Sequence, residues 1–284
     1  MIFSGCSIKS PVTMENKLKV TAIPDIKLHS VSMGSGEDLL LIHGFGSSSS
    51  SFKYIMPSLA KDFKVTALDL KGFGKSPKPD DGNYSVYDHY LLVKRFIIEH
   101  NIKNPRIMGH SIGGGVAMLL ALDEDIKVKK MVLFDTPAYK QDLPKLLRYA
   151  NIPVFGKLGF YLLGSHYEVM EGYRYAFYDD SKIPKDLVDE LAADLSSKNG
   201  KFAFLEANRE LIPDDIEKLV KRYKDITTPT LIIWGYEDVV IRRSKAYKLH
   251  RDLPNSTLKF IHHCGHLPQE EKPKETLKLL KKFL

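Results

Sequence analysis

Gly109-His110-Ser111-Ile112-Gly113 decides the reading of this chain: one serine stands between glycines, directly after the short run Pro105-Arg106-Ile107-Met108. The spacing G-x-S-x-G predicts a strand that turns sharply into a helix and holds the serine in a strained backbone conformation with its oxygen exposed. A side chain two residues before or after the serine would collide across so tight a turn, and Gly114 and Gly115 are expected to let the helix pack close to the sheet. Each glycine inside a helix costs roughly 1 kcal/mol relative to alanine, so three in succession call for a packing or functional cause.

The flanks fit this geometry. Val116-Ala117-Met118-Leu119-Leu120-Ala121-Leu122 reads as a buried helix after the motif. Three further apolar runs end in loops with polar residues. Leu39-Leu40-Leu41-Ile42 leads into His43-Gly44-Phe45-Gly46, Leu231-Ile232-Ile233-Trp234 into Gly235-Tyr236-Glu237-Asp238, and Leu258-Lys259-Phe260-Ile261 toward Cys264-Gly265-His266. In an open α/β sheet, ligands sit beyond the carboxyl ends of the strands, so these loops should converge on one site. Strands are predicted near residues 18–23, 28–33, 38–43, 64–69, 105–110, 129–135, 229–234 and 257–262, with helices between most of them. That alternation implies a mostly parallel sheet covered on both faces. The first two or three strands lack intervening helices and are expected to form an antiparallel edge. The run Ser47 to Ser51 is expected to cap a helix beginning near Phe52.

In these four motifs and their order the chain resembles the α/β-hydrolase superfamily, over nearly its whole length. The order Ser111, Asp238, His266 matches that family's order of serine, acid and histidine. The resemblance implies an eight-stranded, mostly parallel sheet with helices on both faces and a helical cap inserted after strand 6. The implied divisions are an extension at 1–17, a core at 18–136 and 217–284, and a cap at 137–216. It implies no cofactor and no metal. Epoxide hydrolases and haloalkane dehalogenases share the fold but place an aspartate where this chain has Ser111.

The residue types suit acyl transfer. A serine hydroxyl is a weak nucleophile, so an imidazole, here His266, must take its proton and later return it to the leaving group. A carboxylate behind the imidazole, here Asp238, holds its tautomer and stabilises the imidazolium. In the family the oxyanion is met by backbone N–H groups corresponding to Phe45 and Ile112, while His43 and Gly44 organise the loop and Gly109 and Gly113 the turn. Asp135, after Val132-Leu133-Phe134, is the alternative acid. His262 and His263 are alternatives to His266, which alone follows a glycine and precedes Leu267-Pro268-Gln269-Glu270-Glu271-Lys272-Pro273. Asp69 reads as a structural residue of a tight turn and Cys264 as a packed hydrophobe.

Between Asp135 and Thr227 no strand is expected. Helical patterns there are interrupted by prolines and carry Tyr149, Phe155, Phe160, Tyr161, Tyr167, Tyr173, Tyr175, Phe177 and Tyr178. Most of these aromatics are expected to form the cap's own core and a minority to face substrate. The expected activity is hydrolysis of carboxylic esters of small to medium, partly apolar substrates. One alternative is carbon–carbon hydrolysis of the meta-cleavage type, whose cap Phe177 to Lys182 and Leu187 to Leu191 resemble; the other is a non-catalytic ligand-binding protein of the same fold.

Composition narrows the classes further. The 43% hydrophobic fraction of 284 residues permits a substantial core. No apolar run approaches the roughly 18 residues that span a bilayer. Cys6 and Cys264 lie at opposite ends of the chain and suggest neither a disulfide framework nor a zinc site. The net charge of +7, from 42 basic and 35 acidic residues, is spread without an aromatic stacking platform, which argues against nucleic acid. A solvated surface is expected, with association to an anionic membrane surface as the alternative. Phe3-Ser4-Gly5-Cys6 resembles a bacterial lipobox, yet only Ile2 and Phe3 stand where an apolar stretch should precede it. A cytoplasmic enzyme is expected; the alternative is a lipoprotein anchored through Cys6 after an upstream start.

Overall fold

The computed structural model describes residues 25–152 and 155–284. The strand expected at 18–23 and the motif at Cys6 lie outside these residues. Seven strands are present among the described residues: β1 Ser30–Met33, β2 Glu37–Ile42, β3 Phe63–Leu68, β4 Arg106–His110, β5 Lys130–Phe134, β6 Thr230–Gly235 and β7 Ser256–Ile261. They form one sheet in the order β1-β3-β2-β4-β5-β6-β7. Only β1 is antiparallel, pairing Ser30 with Leu68 through Met33 with Val65; every other pair is parallel.

The antiparallel edge is therefore shorter than expected, because β2 does not stay beside β1 but crosses to the middle, between β3 and β4. Burial explains the crossing. Leu39, Leu40, Leu41 and Ile42 are wholly buried and need cover on both faces, whereas Val31, Ser32 and Met33 of β1 are exposed and suit a rim. Alternate side chains of β2 serve two cores. Leu40 and Ile42 join one with Val86, Val93, Ile107 and Trp234, while Leu39 and Leu41 join the other with Phe52, Ile55, Val65 and Leu280.

Helices cover the two faces. Those of the body are α1 Met56–Leu59, α2 Val86–Glu99 and α3 Ile112–Ala121. Between β5 and β6 follow α4 Lys145–Ala150, α5 Phe155–Leu162, α6 Ser165–Ala176, α7 Lys185–Ser196, α8 Gly200–Arg209 and α9 Ile216–Arg222. After β6 come α10 Ser244–Asp252, α11 Pro268–Glu271 and α12 Pro273–Phe283. The serine run caps a 3₁₀ turn, Ser49–Phe52, slightly earlier than expected: Ser48 Oγ accepts from Ser50 N at 3.2 Å. Among the described residues no helix is long and apolar enough to cross a membrane.

The turn from β4 to α3 is as tight as its glycines imply. A Cβ on Gly109 would stand 2.2 Å from Gly113 O, and one on Gly113 would stand 2.2 Å from Ile42 O. Gly114 lies against Thr136 after β5, whereas Gly115 faces Val86 of α2 rather than the sheet.

Candidate active site

Ser111 sits between β4 and α3 with φ 51° and ψ −122°, a region in which a side chain is strained, at a cost of roughly 1–3 kcal/mol. Its neighbours hold it there. Ser111 N donates to Phe134 O of β5 at 2.9 Å, and Ser111 O accepts from Gly114 N at 2.8 Å. A serine at a helix N-cap ordinarily bonds a backbone N–H of the first turn. Here the positive φ turns the side chain away and no such bond forms, so the hydroxyl is not consumed by the helix.

The loop after β2 presses against this turn. A Cβ on Gly44 would stand 2.7 Å from His110 Nδ1 and 2.9 Å from Ser111 Cβ, so only glycine lets the backbone pass. His43 fixes the loop: its Nδ1–H donates to Gly44 O at 2.7 Å, and its Nε2 accepts from Leu70 N at 2.9 Å. With one nitrogen on a carbonyl and the other on an N–H, the ring is neutral, and burial lowers its pKa to match. Asp69 acts as the expected turn residue, accepting from Ser49 N at 2.7 Å and Lys75 N at 2.9 Å. Ile112 is the first residue of α3, where no helix carbonyl can receive its N–H. Among the described residues, neither the Phe45 nor the Ile112 N–H donates to a turn or loop carbonyl.

His266 is held on three sides. Its Nδ1 is 2.8 Å from Asp238 Oδ2, its backbone N donates to Ala176 O at 2.6 Å, and its carbonyl accepts from His110 Nε2 at 2.8 Å. That last bond fixes the proton of His110 on Nε2, and burial, aided by His266, pushes the His110 pKa well down, so the ring is neutral. The two imidazoles lie 4.9 Å apart. Among the described residues no hydrogen bond joins Ser111 Oγ to the His266 ring. His262 and His263 point to solvent, against Tyr236 and Tyr178. Cys264 is buried and burial raises its thiol pKa, in keeping with a packed, unreactive side chain.

Both candidate acids reach this place. Asp238 Oδ1 accepts from Val240 N at 2.7 Å and Ile241 N at 3.0 Å, leaving Oδ2 for His266. Asp135, with φ 41°, accepts from Gly235 N at 2.9 Å through Oδ1 and turns its other oxygen toward Asp238. Burial and the facing carboxylate push the Asp135 pKa well above the usual range, so of the two carboxyl groups Asp135 is the one that takes up a proton more readily. Asp135, Asp238 and His266 bring ligand atoms within 4.8 Å of one another. That trio is a poor metal site, because Asp238 already accepts from three N–H donors.

Two glutamates of α11, to which the sequence reading attached no role, tie the site to the helices above it. Glu271 accepts from Gly265 N at 2.7 Å, Asp179 N at 2.9 Å and Tyr178 N at 3.1 Å, joining the turn before His266 to the end of α6. Gly265 is so close to that segment that a Cβ would stand 2.1 Å from Ala176 O. Glu270 is buried, bonded to Ser51 Oγ and Tyr173, and burial raises its pKa to about 7. Two carboxylates inside a short stretch flanked by prolines were the available signal. Above the loop after β2, Phe45 packs on Phe73 and Phe204 with ring centroids 5.8 and 4.4 Å away, and Phe204 stacks on Phe160 at 5.1 Å.

The expectation for the other aromatics of the insertion is corrected. Phe160, Tyr173 and Phe177 are buried, but Tyr149, Tyr161, Tyr167, Tyr175 and Tyr178 are exposed. The small helices cannot enclose so many rings, since α6 and α7 fill their shared core with Tyr173, Phe177, Leu187, Val188 and Leu191.

Known proteins are similar to this chain in sequence and fold. An uncharacterized hydrolase of Bacillus subtilis, YugF, is 31% identical over 245 residues, 84% of this chain and 86% of that one. Lipase 3 of a Moraxella species is 27% identical over 254 residues, 88% of this chain and 78% of its own. A meta-cleavage product hydrolase from Pseudomonas fluorescens superposes with a TM-score of 0.79 at 23% identity, over 97% of this chain and 96% of that structure. The α/β hydrolase fold family matches residues 39–273, a span from β2 to the start of α12, and the chain belongs to that family.

Proposed function

We propose that this hydrolase cleaves carboxylic esters of small to medium, partly apolar substrates through an acyl-enzyme. Ser111 is the nucleophile, His266 the general base and then acid, and Asp238 the carboxylate that holds the imidazole. The observation that carries this reading is a serine hydroxyl released from helix capping by a positive φ, next in the chain to His110, whose ring lies 4.9 Å from an imidazole already paired with a carboxylate at 2.8 Å. The Phe45 and Ile112 N–H groups receive the oxyanion of the tetrahedral intermediate. Ser111 Oγ attacks the acyl carbon as His266 Nε2 takes its proton; the proton then passes to the leaving alcohol. Water, deprotonated by the same nitrogen, resolves the acyl-enzyme.

The helices between β5 and β6 form the cap over the site in this reading. Apolar surroundings favour an uncharged substrate. Phe45 and Phe204 pack together at the loop after β2. Carbon–carbon cleavage remains the second reading because a meta-cleavage product hydrolase shares the fold. Against it, the additional polar residues that usually accompany that chemistry near the oxyanion loop and the nucleophile are not found in His43 to Ser51 or around Ser111. A panel of chromogenic acyl esters set beside a vinylogous diketone acid tests the proposal. Ester turnover that vanishes on fluorophosphonate labelling of Ser111 supports it; turnover of the diketone alone refutes it.

A further inference from the structure

The exposed side of α5 has the composition of a lipid interface, not of a water-facing helix. Phe160 turns inward onto Phe204, yet Leu158, Tyr161 and Leu162, spaced at i, i+3 and i+4, share the opposite face and are exposed, Leu162 by 77%. Leu163 follows them, Tyr149 and Ile152 precede them, and Tyr167 lies just beyond, all exposed. A helix apolar on both sides is unusual on a protein in water, and an apolar patch of this kind marks an interaction surface.

Charge selects the partner. No acidic residue occurs between Asp142 and Glu168, while Lys145, Arg148 and Lys157 do. Lys145 and Arg148 are exposed, and among the described residues neither has an acidic partner; Lys157 reaches Glu206 at 3.9 Å. Asp80 and Glu206 act on Tyr161 at one side of this face, while Lys145 and Arg148 leave exposed positive charge at its other end. Exposed leucines and tyrosines flanked by such basic residues are the side chains that bury in the acyl boundary and meet lipid phosphates above it. A second copy of this chain would bring a surface of the same sign, from a protein of net charge +7.

We infer that the face formed by Leu158, Tyr161, Leu162 and Leu163, with Lys145 and Arg148 beside it, docks on anionic phospholipid bilayers. Helix α5, about 12 Å long, lies in the interface plane and does not cross it. The inference needs nothing from the ester reading, since it rests on surface alone. If both hold, docking places the cap against a reservoir of apolar esters.

The test is sedimentation of the full-length chain with extruded vesicles of phosphatidylcholine alone or mixed with phosphatidylglycerol, scored by bound fraction. Binding to mixed vesicles that weakens with added salt and is far weaker on phosphatidylcholine supports the inference. The combined Leu158→Ser, Tyr161→Ser and Leu162→Ser variant should lose at least about tenfold in affinity while melting as the parent does. Should that variant misfold, Lys145→Glu with Arg148→Glu takes its place and should abolish the preference for anionic lipid. No binding of the folded parent, binding undiminished by either variant, or a dimer that the triple variant dissolves would each overturn it. Fluorophosphonate labelling in the same samples reports the ester chemistry separately.

Discussion

The loops at the strand ends and the helical segment from α4 to α5 represent opposite ways of spending polar and apolar residues. Around Ser111, hydrogen bonds tie His43, His110, Asp238 and His266 in place, with His110 Nδ1 left over as a buried atom without a partner among the described residues, and backbones approach so closely that Gly44, Gly109, Gly113 and Gly265 have no room for a side chain. Around Leu158 and Leu162 the segment shows water its largest apolar side chains. The first region is over-determined, as a strained serine must be to persist. The second is anchored from one side, by Ala150 and Phe160 packed with Leu195, Leu205 and Phe204, by Lys201 on the carbonyls of Phe160 and Leu163, and by Asn208 on Leu147 O and Asn151. Chemistry needs geometry fixed to fractions of an ångström, while a docking surface needs only composition and shape.

That contrast puts the effects of substitution in a definite order. Ser111→Ala and His266→Ala should each lower kcat/KM on a short acyl ester by at least about a thousandfold with an unchanged melting curve, and Ser111→Ala should lose fluorophosphonate labelling. Full activity in either variant would dissolve the distinction between the two regions. Asp238→Asn should lower kcat about a hundredfold or more. Asp135→Asn should cost no more than about tenfold, because an amide N–H can donate to Asp238 as a protonated carboxyl does. A larger loss at 135 than at 238 would move the acid to β5.

Glu271→Ala removes the acceptor of three backbone N–H groups and should destabilise the protein by roughly 1–3 kcal/mol, measured by urea unfolding. It should also lower kcat, since the turn carrying His266 loses its tie to α6. Glu270 gives a pH signature. Its carboxyl holds a proton more tightly folded, up to about 7, than unfolded, near 4.5. Its contribution to stability is therefore complete below the unfolded value and is lost as pH rises toward about 7. Glu270→Gln should melt more evenly between those pH values than the parent, by a few degrees. Smallest of all, Leu162→Ser should leave stability within about 0.5 kcal/mol and leave turnover of a soluble ester unchanged. A large loss there would mean that this face packs inside the protein.

Much of the site was legible because its reasons are local. The glycine spacing around Ser111 states a backbone conformation, and the ends of β2, β6 and β7 are visible as apolar runs that stop. Partners contributed by distant segments were not legible. Glu271 reaches Tyr178 and Asp179 across 92 and more residues, and nothing around Glu270 in the chain announces Ser51 or Tyr173. The crossing of β2 to the sheet centre was missed for a related reason: short connections suggested adjacency, but four wholly buried residues in a row required two covered faces. The aromatics of α4 to α6 misled because an apolar ring reads alike whether it faces a core or a lipid surface.

By itself the sequence determined the fold family, the serine turn and the residues able to do the chemistry, since periodicity and steric exclusion act over a few neighbours. Tertiary structure alone decided that Asp135 stands within 4.8 Å of the Asp238–His266 pair, and which leucines of α5 face outward. Those outcomes depend on burial and on charges brought together from far apart in the chain, and both come into being only when the sheet closes its two cores.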